Sequence, residues 1–387
     1  MTEREFKRET KEDKPVIALC YDFDKTLSPD DMQAQGFIQD IGFEIGDFWN
    51  ESNGFASEND MDQNLAYMLT MKNKAEGKIL FTKENLSKYG EKVALFPGVE
   101  DWFERIREYG KSKGVIVEHY IISSGLKEMI EGTSIAKNGA FKKIYATSFY
   151  CNENGVAVWP AQVVNYTNKT QFLFRISKGV LDVNDQAVND SFKPEEFRIP
   201  FRNIVYIGDS DTDIPCMKLV NSHGGYSIGV FDSQKGDKSK VHKMMRDNRI
   251  SYFEPADYSS NAGLEQLIKT IIDKTVYNEK LFHKMYNCKN EAFHDVKQDK
   301  TEQEKIDLIN ELESSNTFAN THRIINKMSN ISEWSSEEVE DLLVVAYRNS
   351  QVHYIIQDED LEKFFKRILK FASPDSIYKQ KIEELLD

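Results

Sequence analysis

Two aspartates separated by one residue follow an apolar run near the beginning of the chain. The segment 22–26, Asp-Phe-Asp-Lys-Thr, comes directly after Val16 to Tyr21, whose β-branched and aromatic residues predict a buried strand. A carboxylate that attacks phosphorus forms an acyl phosphate, which divides one difficult displacement into two easier ones. We predict that Asp22 is this nucleophile. Asp24, on the same face if the backbone stays extended, would protonate the leaving oxygen and then activate water, while Thr26 is expected to hydrogen-bond within the turn and hold the pair in place.

Two further polar segments end strand-like runs later in the chain. Ser123 closes the run that begins at Val115, and its hydroxyl is predicted to donate a hydrogen bond to a phosphoryl oxygen. Asp209 and Asp213 follow the run Ile204 to Ile207 on a loop that begins with glycine. Carboxylate oxygens suit Mg²⁺, which is usually bound by protein carboxylates together with phosphate oxygens and water. The predicted metal ligands are Asp22, Asp24, Asp209 and Asp213.

Phosphoryl transfer also needs a positive charge that offsets the negative charge developing on the phosphoryl oxygens. Lys169 precedes an apolar helical run, 172–176, and can therefore project from the start of a helix. Lys178, which is followed by Gly179, is the alternative. We favour Lys169, because a lysine before a glycine is typical of a helix end, where it interacts with the helix dipole.

Strand-like runs alternate with amphipathic helical patterns from Pro15 to about residue 258, and this alternation predicts an α/β fold with a parallel sheet. Ligands of such sheets bind outside the carboxyl ends of the strands, so the polar segments are expected to converge there. Residues 28–95 are too many for one crossover helix and are predicted to form an inserted helical region, which Pro97-Gly98 ends. The predicted strands are Val16–Tyr21, Val115–Ile122, Ile204–Ile207, Tyr226–Val230 and Ile250–Phe253.

Helical patterns replace the strand pattern after about residue 261, where leucines and isoleucines recur at helical spacing. This change predicts a separate all-α domain at the end of the chain. The first fourteen residues are dense in charge and lack periodicity, which indicates a frayed leader or a short partner-binding arm. The predicted organisation is a charged N-terminal arm at 1–14, a catalytic core at 15–27 and 96–260, an inserted helical region at 28–95 and a helical C-terminal domain at 261–387.

The composition is typical of a soluble protein with two or three domains. The 387 residues are 40% hydrophobic, and no run approaches the ~18 consecutive apolar residues of a membrane span. The charged N-terminus is unlike a secretory signal, so a cytoplasmic location is expected. The formal charge of −14 opposes non-specific attraction to nucleic acid or to an anionic membrane. The four cysteines lack the paired spacing of a zinc site or a disulfide framework and are expected to be free.

The order and strand context of these motifs resemble the haloacid dehalogenase superfamily of phosphatases over roughly Pro15 to Tyr258. Residues 22–26 match its first motif, Ser123 its second, Lys169 its third and the segment from Gly208-Asp209 to Asp213 its fourth. The resemblance implies a doubly wound, Rossmann-like parallel sheet, a Mg²⁺ requirement, an Asp22 nucleophile and Asp24 as acid and base. It also implies that the insertion is a helical cap that closes over substrate. The extra carboxylate Asp211 is unexplained by this resemblance, and the C-terminal third resembles no family that we can name.

These observations predict a hydrolase for a small phosphorylated molecule. The first half of the insertion, 28–70, contains no lysine or arginine and nine acidic residues, which favours a neutral or cationic leaving group. Two alternatives stay open: a catalytically silent binding or scaffold protein that acts through the C-terminal helices, and a phosphotransferase that passes the aspartyl phosphate to an alcohol. The C-terminal helices are also candidates for binding a protein partner or for self-association.

Overall fold

The apolar run Val16–Tyr21 forms the central strand of a seven-stranded sheet in the computed structural model, which describes residues 6–295 and 300–386. Alternate residues of this strand enter two different apolar clusters, one on each face of the sheet. Period-two alternation therefore buries both sets of side chains, as the continuous apolar run predicts. The strands are β1 Val16–Tyr21, β2 Ile116–Leu126, β3 Lys143–Cys151, β4 Ala157–Gln162, β5 Ile204–Gly208, β6 Tyr226–Phe231 and β7 Tyr252–Pro255.

The sheet has the strand order β4-β3-β2-β1-β5-β6-β7, and its neighbours pair in parallel except β3 and β4. The predicted α/β fold with a parallel sheet is therefore confirmed. Strands β3 and β4, which form an antiparallel hairpin at one edge, were not predicted from the sequence. Because β1 lies between β2 and β5, the residues that follow these three strands come together at one end of the sheet.

Helices cover both faces of the sheet, which makes it doubly wound. Helices α5 and α11 contribute to the cluster on one face, and α8, α9 and α10 to the cluster on the other. The described helices from the insertion to the last sheet-covering helix are α1 Phe37–Asp40, α2 Ile45–Glu58, α3 Gln63–Ala75, α4 Lys83–Gly90, α5 Val99–Ser112, α6 Lys127–Gly132, α7 Ser134–Lys137, α8 Thr170–Lys178, α9 Ile214–Ser222, α10 Ser239–Arg246 and α11 Gly263–Asp295. Among the helices of the described ranges, none is both long and apolar enough to cross a membrane.

The insertion between the first two motifs is helical, and its apolar side chains join the cluster on the α5 face. Phe37, Phe48 and Met68 of the insertion are fully buried in this cluster. One backbone bridge, Thr82 with Val156, also links the insertion to the loop of the β3–β4 hairpin. The insertion is thus packed as part of the first unit of the chain.

Residues 6–14 of the predicted N-terminal arm lie against the core, so the expectation of a frayed leader is wrong for this part; residues 1–5 fall outside the described ranges. The Glu9 amide donates to the carbonyl of Gly179 at 2.8 Å. Arg198, which is 2% exposed, donates two hydrogen bonds to Glu118 at 2.7 Å and also pairs with Glu12. Charge density predicted a solvated segment, but carboxylates of the arm satisfy a buried guanidinium.

We expect Arg198→Met to lower the free energy of unfolding at pH 7 by about 3 kcal/mol, because it leaves a buried carboxylate without its bidentate partner. Burial opposes ionisation of Glu118, but hydrogen bonds from Arg198, Tyr120 and Lys142 outweigh it and lower its pKa to about 2. This stabilisation is present above the unfolded pKa of ~4.3 and is lost as the pH falls toward 2. Denaturant unfolding should therefore show a difference between the proteins that shrinks over this range.

The matched control for this measurement is Arg246→Met, which removes the same charge from an exposed position at the end of α10. This variant should unfold within about 0.5 kcal/mol of the wild type. A pH-independent difference for Arg198→Met, or an equal loss in both variants, would contradict the role of the buried pair.

The division of the chain into two compact units falls between Phe282 and His283, not at the predicted residue 261. The first turns of α11 belong to the core unit, because Leu264, Ile268 and Ile272 are fully buried in the cluster on the α5 face. The second unit is helical and has its own apolar cluster, as expected. Its further described helices are α12 Lys300–Glu313, α13 Phe318–Ser329, α14 Ser336–Arg348, α15 Ser350–Tyr354, α16 Glu359–Ile368 and α17 Ile377–Leu386.

Candidate active site

Asp22 lies at the carboxyl end of the central strand and is 7% exposed. Its amide donates to the carbonyl of Ile207 at 3.0 Å, so the pairing of β1 with β5 continues one residue past the end of β1. Its Oδ1 accepts a hydrogen bond from the amide of Phe23 at 2.8 Å, and its Oδ2 lies 3.1 Å from Nζ of Lys169. Backbone and side-chain donors together fix the orientation of this carboxylate.

Backbone hydrogen bonds close the turn that follows this aspartate. The amides of residues 26–28 all donate to the carbonyl of Phe23, at 2.9 to 3.2 Å. The hydrogen bond expected of Thr26 within the turn is made by its amide, which is one of these three donors. The Thr26 hydroxyl has no hydrogen-bond partner within the described ranges. The Thr26 carbonyl accepts from the Tyr258 hydroxyl at 2.8 Å.

Asp24 and Ser123 lie close together, although Asp24 follows β1 and Ser123 lies within β2. Asp24 Oδ1 accepts from the amide of Met32, in the insertion, at 2.8 Å. A Cβ placed on Gly125 would lie 2.8 Å from Asp24 Oδ2 and 3.2 Å from Ser123 Oγ, so a side chain at position 125 would collide with both groups. Ser123 Oγ accepts from the Gly125 amide at 3.0 Å, which leaves the hydroxyl proton for a substrate oxygen.

Asp213 is fully buried below the loop that follows β5. Its Oδ2 accepts from the amide and the hydroxyl of Ser210 at 3.1 and 3.0 Å, and its Oδ1 accepts from the Tyr206 hydroxyl at 2.8 Å. A Cβ on Gly208 would lie 2.5 Å from Asp213 Oδ2, so only glycine allows this close approach. Asp211 lies exposed at the start of the same 3₁₀ turn and remains without an assigned role.

Lys169 is the lysine that the structure brings to the other motif residues. Its side chain is fully buried, and its Nζ donates to Asp22 Oδ2 at 3.1 Å and to Asp213 Oδ1 at 2.7 Å. Lys178, the alternative, donates to two loop carbonyls, those of Val188 and Asp190, at 2.7 Å each. The lysine that contacts Asp22 and Asp213 is therefore Lys169, the one favoured for its position at the start of a helix.

Three of the four predicted metal ligands form one cluster. Carboxylate oxygens of Asp22, Asp209 and Asp213 all lie within 4.8 Å of one another. Asp24 is not part of this group, and one of its oxygens is already bound to a backbone amide. A set of three carboxylates close together in a buried place fits a divalent cation with a preference for oxygen, such as Mg²⁺, because the cation would offset their mutual repulsion.

The acidities of these groups differ because their surroundings differ. Burial raises the pKa of Asp22 to about 6, although the charge of Lys169 opposes the shift. Burial also raises the pKa of Asp209 to about 7 against the attraction of Lys240, whose Nζ lies 3.3 Å from it. Burial acts in the same direction on Asp213, but Lys169 outweighs it and lowers the pKa of that carboxyl. Burial thus disfavours ionisation of Asp22 and Asp209, and a cation bound between the three carboxylates would favour their charged forms.

Asp24 differs from Asp22 in lacking a direct ammonium partner. Burial and the nearby charge of Asp31 raise its pKa well above the usual range. Both pKa values are therefore raised, but at about 6 the pKa of Asp22 still leaves its carboxylate mostly ionised at neutral pH, as a nucleophile requires. The rise at Asp24 favours the protonated form that an acid needs.

The insertion touches the site through its third helix and the turn before it. The Tyr67 hydroxyl donates to the carbonyl of Ser124 at 2.9 Å, next to Ser123. The Asn165 side chain donates from Nδ2 to Asp62 at 2.8 Å, and the Asn165 backbone carbonyl accepts from the amide of Lys169. The insertion is therefore bound to the segments that carry the second and third motifs.

Several of the nine acidic residues that suggested a neutral or cationic leaving group have other partners. Asp31 binds Lys25 through both oxygens at 2.8 Å. Glu51 pairs with Lys74 at 2.6 Å, and Asp40 accepts from a tyrosine hydroxyl. Asp62 caps α3 and also accepts from Asn165. Charges neutralised or hydrogen-bonded in this way repel an anionic substrate less than their number in the sequence implies.

The motif geometry agrees with one family of proteins. A model of the haloacid dehalogenase-like hydrolases matches residues 19–218, which is 200 of the 387 residues and includes the predicted site residues Asp22, Asp24, Thr26, Ser123, Lys169, Asp209 and Asp213. The chain belongs to the haloacid dehalogenase-like hydrolases. The matched residues contain the buried cluster around Asp22 and Lys169, which is the candidate active site.

The chain is similar to one further protein sequence and to two solved structures, and each similarity covers two thirds or more of the other protein. An uncharacterized protein of Borreliella burgdorferi is 28% identical over 274 residues, which cover 64% of this chain and 94% of that protein. A probable phosphoserine phosphatase from Vibrio cholerae is 13% identical with a TM-score of 0.45, over 69% of this chain and 67% of that one. A phosphoserine phosphohydrolase-like protein from Francisella tularensis is 16% identical with a TM-score of 0.36, over 61% and 94%. The identity to both solved structures is too low to transfer a substrate.

Proposed function

We propose that the protein is a Mg²⁺-dependent phosphatase that hydrolyses a small phosphomonoester through an aspartyl phosphate on Asp22. The observation that carries this proposal is the buried ammonium of Lys169, held between Asp22 and Asp213 next to the carboxylate of Asp209. Burying charges is costly, so such a cluster is expected where it does chemistry.

In the first step, a carboxylate oxygen of Asp22 attacks phosphorus, and the bond from phosphorus to the leaving oxygen breaks. Asp24 gives its proton to that oxygen, which its raised pKa permits. Lys169 and the Ser123 hydroxyl donate hydrogen bonds to phosphoryl oxygens and stabilise their negative charge.

In the second step, Asp24, now an anion, takes a proton from water while the water oxygen attacks the aspartyl phosphate. The bond between phosphorus and the Asp22 oxygen breaks, which releases phosphate and restores both side chains. Asp22, Asp209 and Asp213 would hold the cation, and bound Mg²⁺ supplies positive charge next to the phosphoryl oxygens.

Metal removal tests this proposal. Protein treated with a chelator and then desalted is expected to release phosphate from an aryl phosphate at least about tenfold more slowly than the same sample after Mg²⁺ is added back, because the carboxylate cluster then remains uncompensated. Calcium, added at equal concentration, controls for unspecific effects of divalent cations. Equal rates with and without Mg²⁺ would contradict the metal requirement, and no release under any condition would favour a silent binding protein.

A further inference from the structure

A cavity of about 290 Å³ opens beside the active site. Asp209 of the carboxylate cluster forms part of its wall, and so does Lys25, which directly follows Asp24 in the first motif. The rest of the wall comes from the end of β6 with the loop after it, from α10, from Pro29 near the start of the insertion and from Phe96 directly after it. Asp209 lines this cavity and its carboxylate lies within 4.8 Å of that of Asp22, so a group attached to a phosphate at Asp22 is within reach of the cavity.

Three lysines surround the cavity. Lys25, Lys235 and Lys240 line it, and their side chains are 44%, 62% and 44% exposed. Lys235 donates to the carbonyl of Pro29 at 3.2 Å and lies 3.6 Å from Asp232. An ammonium group has three protons to donate, so these contacts leave Lys235 capacity for a further acceptor.

The carboxylates of the same wall are already engaged by the protein. Asp232 accepts from the amide of Gln234 at 2.9 Å, and Asp237 accepts from the amide of Ser239 at 2.8 Å at the start of α10. Asp209 belongs to the carboxylate cluster that we propose as the cation site. Each lysine also has a carboxylate partner, Asp31 for Lys25, Asp232 for Lys235 and Asp209 for Lys240. An ammonium group has three protons to donate, so the lysines keep donors for an anionic ligand.

The remaining wall is apolar and the space is small. Phe96, Phe231, Val230 and Val241 supply carbon surface that can pack against the skeleton of a leaving group. A volume of about 290 Å³ is at the lower end of the ~300–1,000 Å³ that ligand cavities span. The leaving group should accordingly be compact.

We infer that this cavity holds the leaving group, and that Lys235 and Lys240 bind a second anionic group on it, a carboxylate or a further phosphate. The inference rests on the proposed function, since the phosphoryl group must sit at Asp22. It replaces the neutral or cationic leaving group favoured by the charge pattern of residues 28–70. The lysines line the cavity and can contact a bound leaving group, whereas several acidic residues of the insertion are paired with other side chains of the protein.

Matched pairs of esters test this inference. Glycerol 3-phosphate and 3-phosphoglycerate differ by one carboxylate, and fructose 6-phosphate and fructose 1,6-bisphosphate differ by one phosphate. We expect kcat/KM to be at least about tenfold higher for the anionic member of one pair, since a hydrogen bond to a charged group contributes on that scale. The pair that shows the preference identifies the anion as carboxylate or phosphate. Equal or faster turnover of the less charged member in both pairs overturns the inference.

Lys235→Met should remove this preference, lowering the ratio of kcat/KM between the two members by about tenfold. This lysine is chosen because Lys240 also contacts Asp209, whose perturbation would confuse the result. Lys243→Met is the matched control: it removes the same charge from an exposed position on α10 and should keep the wild-type ratio. A ratio that falls equally in both variants, or in neither, overturns the assignment of Lys235.

Calorimetric binding of the same esters to Asp22→Asn, with and without Lys235→Met, separates this inference from the proposed function. If no ester is hydrolysed by the wild type, but the anionic member binds about tenfold more tightly and loses this advantage with Lys235→Met, the anion site stands and the proposed function fails. If esters are hydrolysed but both members bind equally, the proposed function stands and the anion site is overturned.

Discussion

Asp22→Asn is expected to lower kcat for an aryl phosphate by roughly 10⁴- to 10⁶-fold, the scale on which removal of a catalytic nucleophile acts. The amide keeps the shape of the carboxylate, but its single oxygen can accept only one of the two hydrogen bonds from Phe23 and Lys169, so thermal unfolding of the variant is measured beside its turnover. It cannot form the acyl phosphate, because an amide oxygen is a poor nucleophile. Release of phosphate and acid-quenched mass spectrometry of the intact protein measure the two consequences, loss of turnover and absence of phosphorylated protein.

Asp211→Asn is the matched control for this experiment. It makes the same chemical change at an exposed carboxylate in the 3₁₀ turn that also contains Asp213. Its kcat should stay within about threefold of the wild type, because surface changes of this kind alter the free energy by about 0.5 kcal/mol. If Asp22→Asn kept a tenth or more of the wild-type turnover while its thermal unfolding was unchanged, the nucleophile would have to be another residue.

The central part of the site was predictable because it depends on strand ends. Asp22, Ser123 and Asp209 each follow an apolar run, and a parallel sheet brings the carboxyl ends of its strands to one edge. The choice of Lys169 used a second local rule, the difference between the start and the end of a helix. Both rules depend only on short segments of the sequence, so these residues could be predicted without knowledge of the tertiary packing.

The partners of these residues were not predictable in the same way. Tyr206 lies inside β5, where the sequence indicates only another buried strand residue, yet its hydroxyl binds Asp213. Lys240 is one of many lysines in a charged stretch, and only the fold places it beside Asp209. A tyrosine in a buried run could have been flagged, because its hydroxyl needs a partner.

Two errors concern the fold itself. The hairpin β3–β4 was missed, although β3 is rich in β-branched and aromatic residues and Asn154-Gly155 in the loop before β4 is a typical hairpin signal. The first half of α11 was assigned to the C-terminal domain, because helical spacing identifies a helix but not the surface against which it packs. Only the buried contacts of its leucines and isoleucines place it with the sheet.

The site concentrates charges that the fold alone would disfavour. Lys169 is fully buried, and its partners Asp22 and Asp213 are 7% and 0% exposed. Desolvation of such groups is not fully repaid by their mutual attraction, so a core made of apolar residues would be more stable. A phosphoryl group and a divalent cation bring one negative and one positive partner into this arrangement. We therefore expect the same cluster to cost stability in the free protein and to stabilise the transition state.

Asp24→Asn is expected to lower kcat by about 10²- to 10⁴-fold, with the larger loss for alkyl phosphates. An alkoxide is a poor leaving group and needs the proton of Asp24, whereas a phenolate with an electron-withdrawing substituent leaves without it. The raised pKa of Asp24, caused by burial and by the charge of Asp31, favours the protonated form that can donate this proton. The ratio of kcat between an alkyl and an aryl phosphate, compared with the wild type, measures this role.

The same variant should slow the second step, because Asp24 is also the base that activates water. With an aryl phosphate, the first step then outruns the second, and phosphorylated Asp22 should accumulate as a burst of phenol release of up to one equivalent per protein. Asp47→Asn, at an exposed position of the insertion, is the matched control and should give the wild-type ratio and no burst. If Asp24→Asn slowed aryl and alkyl esters equally and no phosphorylated protein accumulated, Asp24 would hold the turn or the substrate rather than transfer protons.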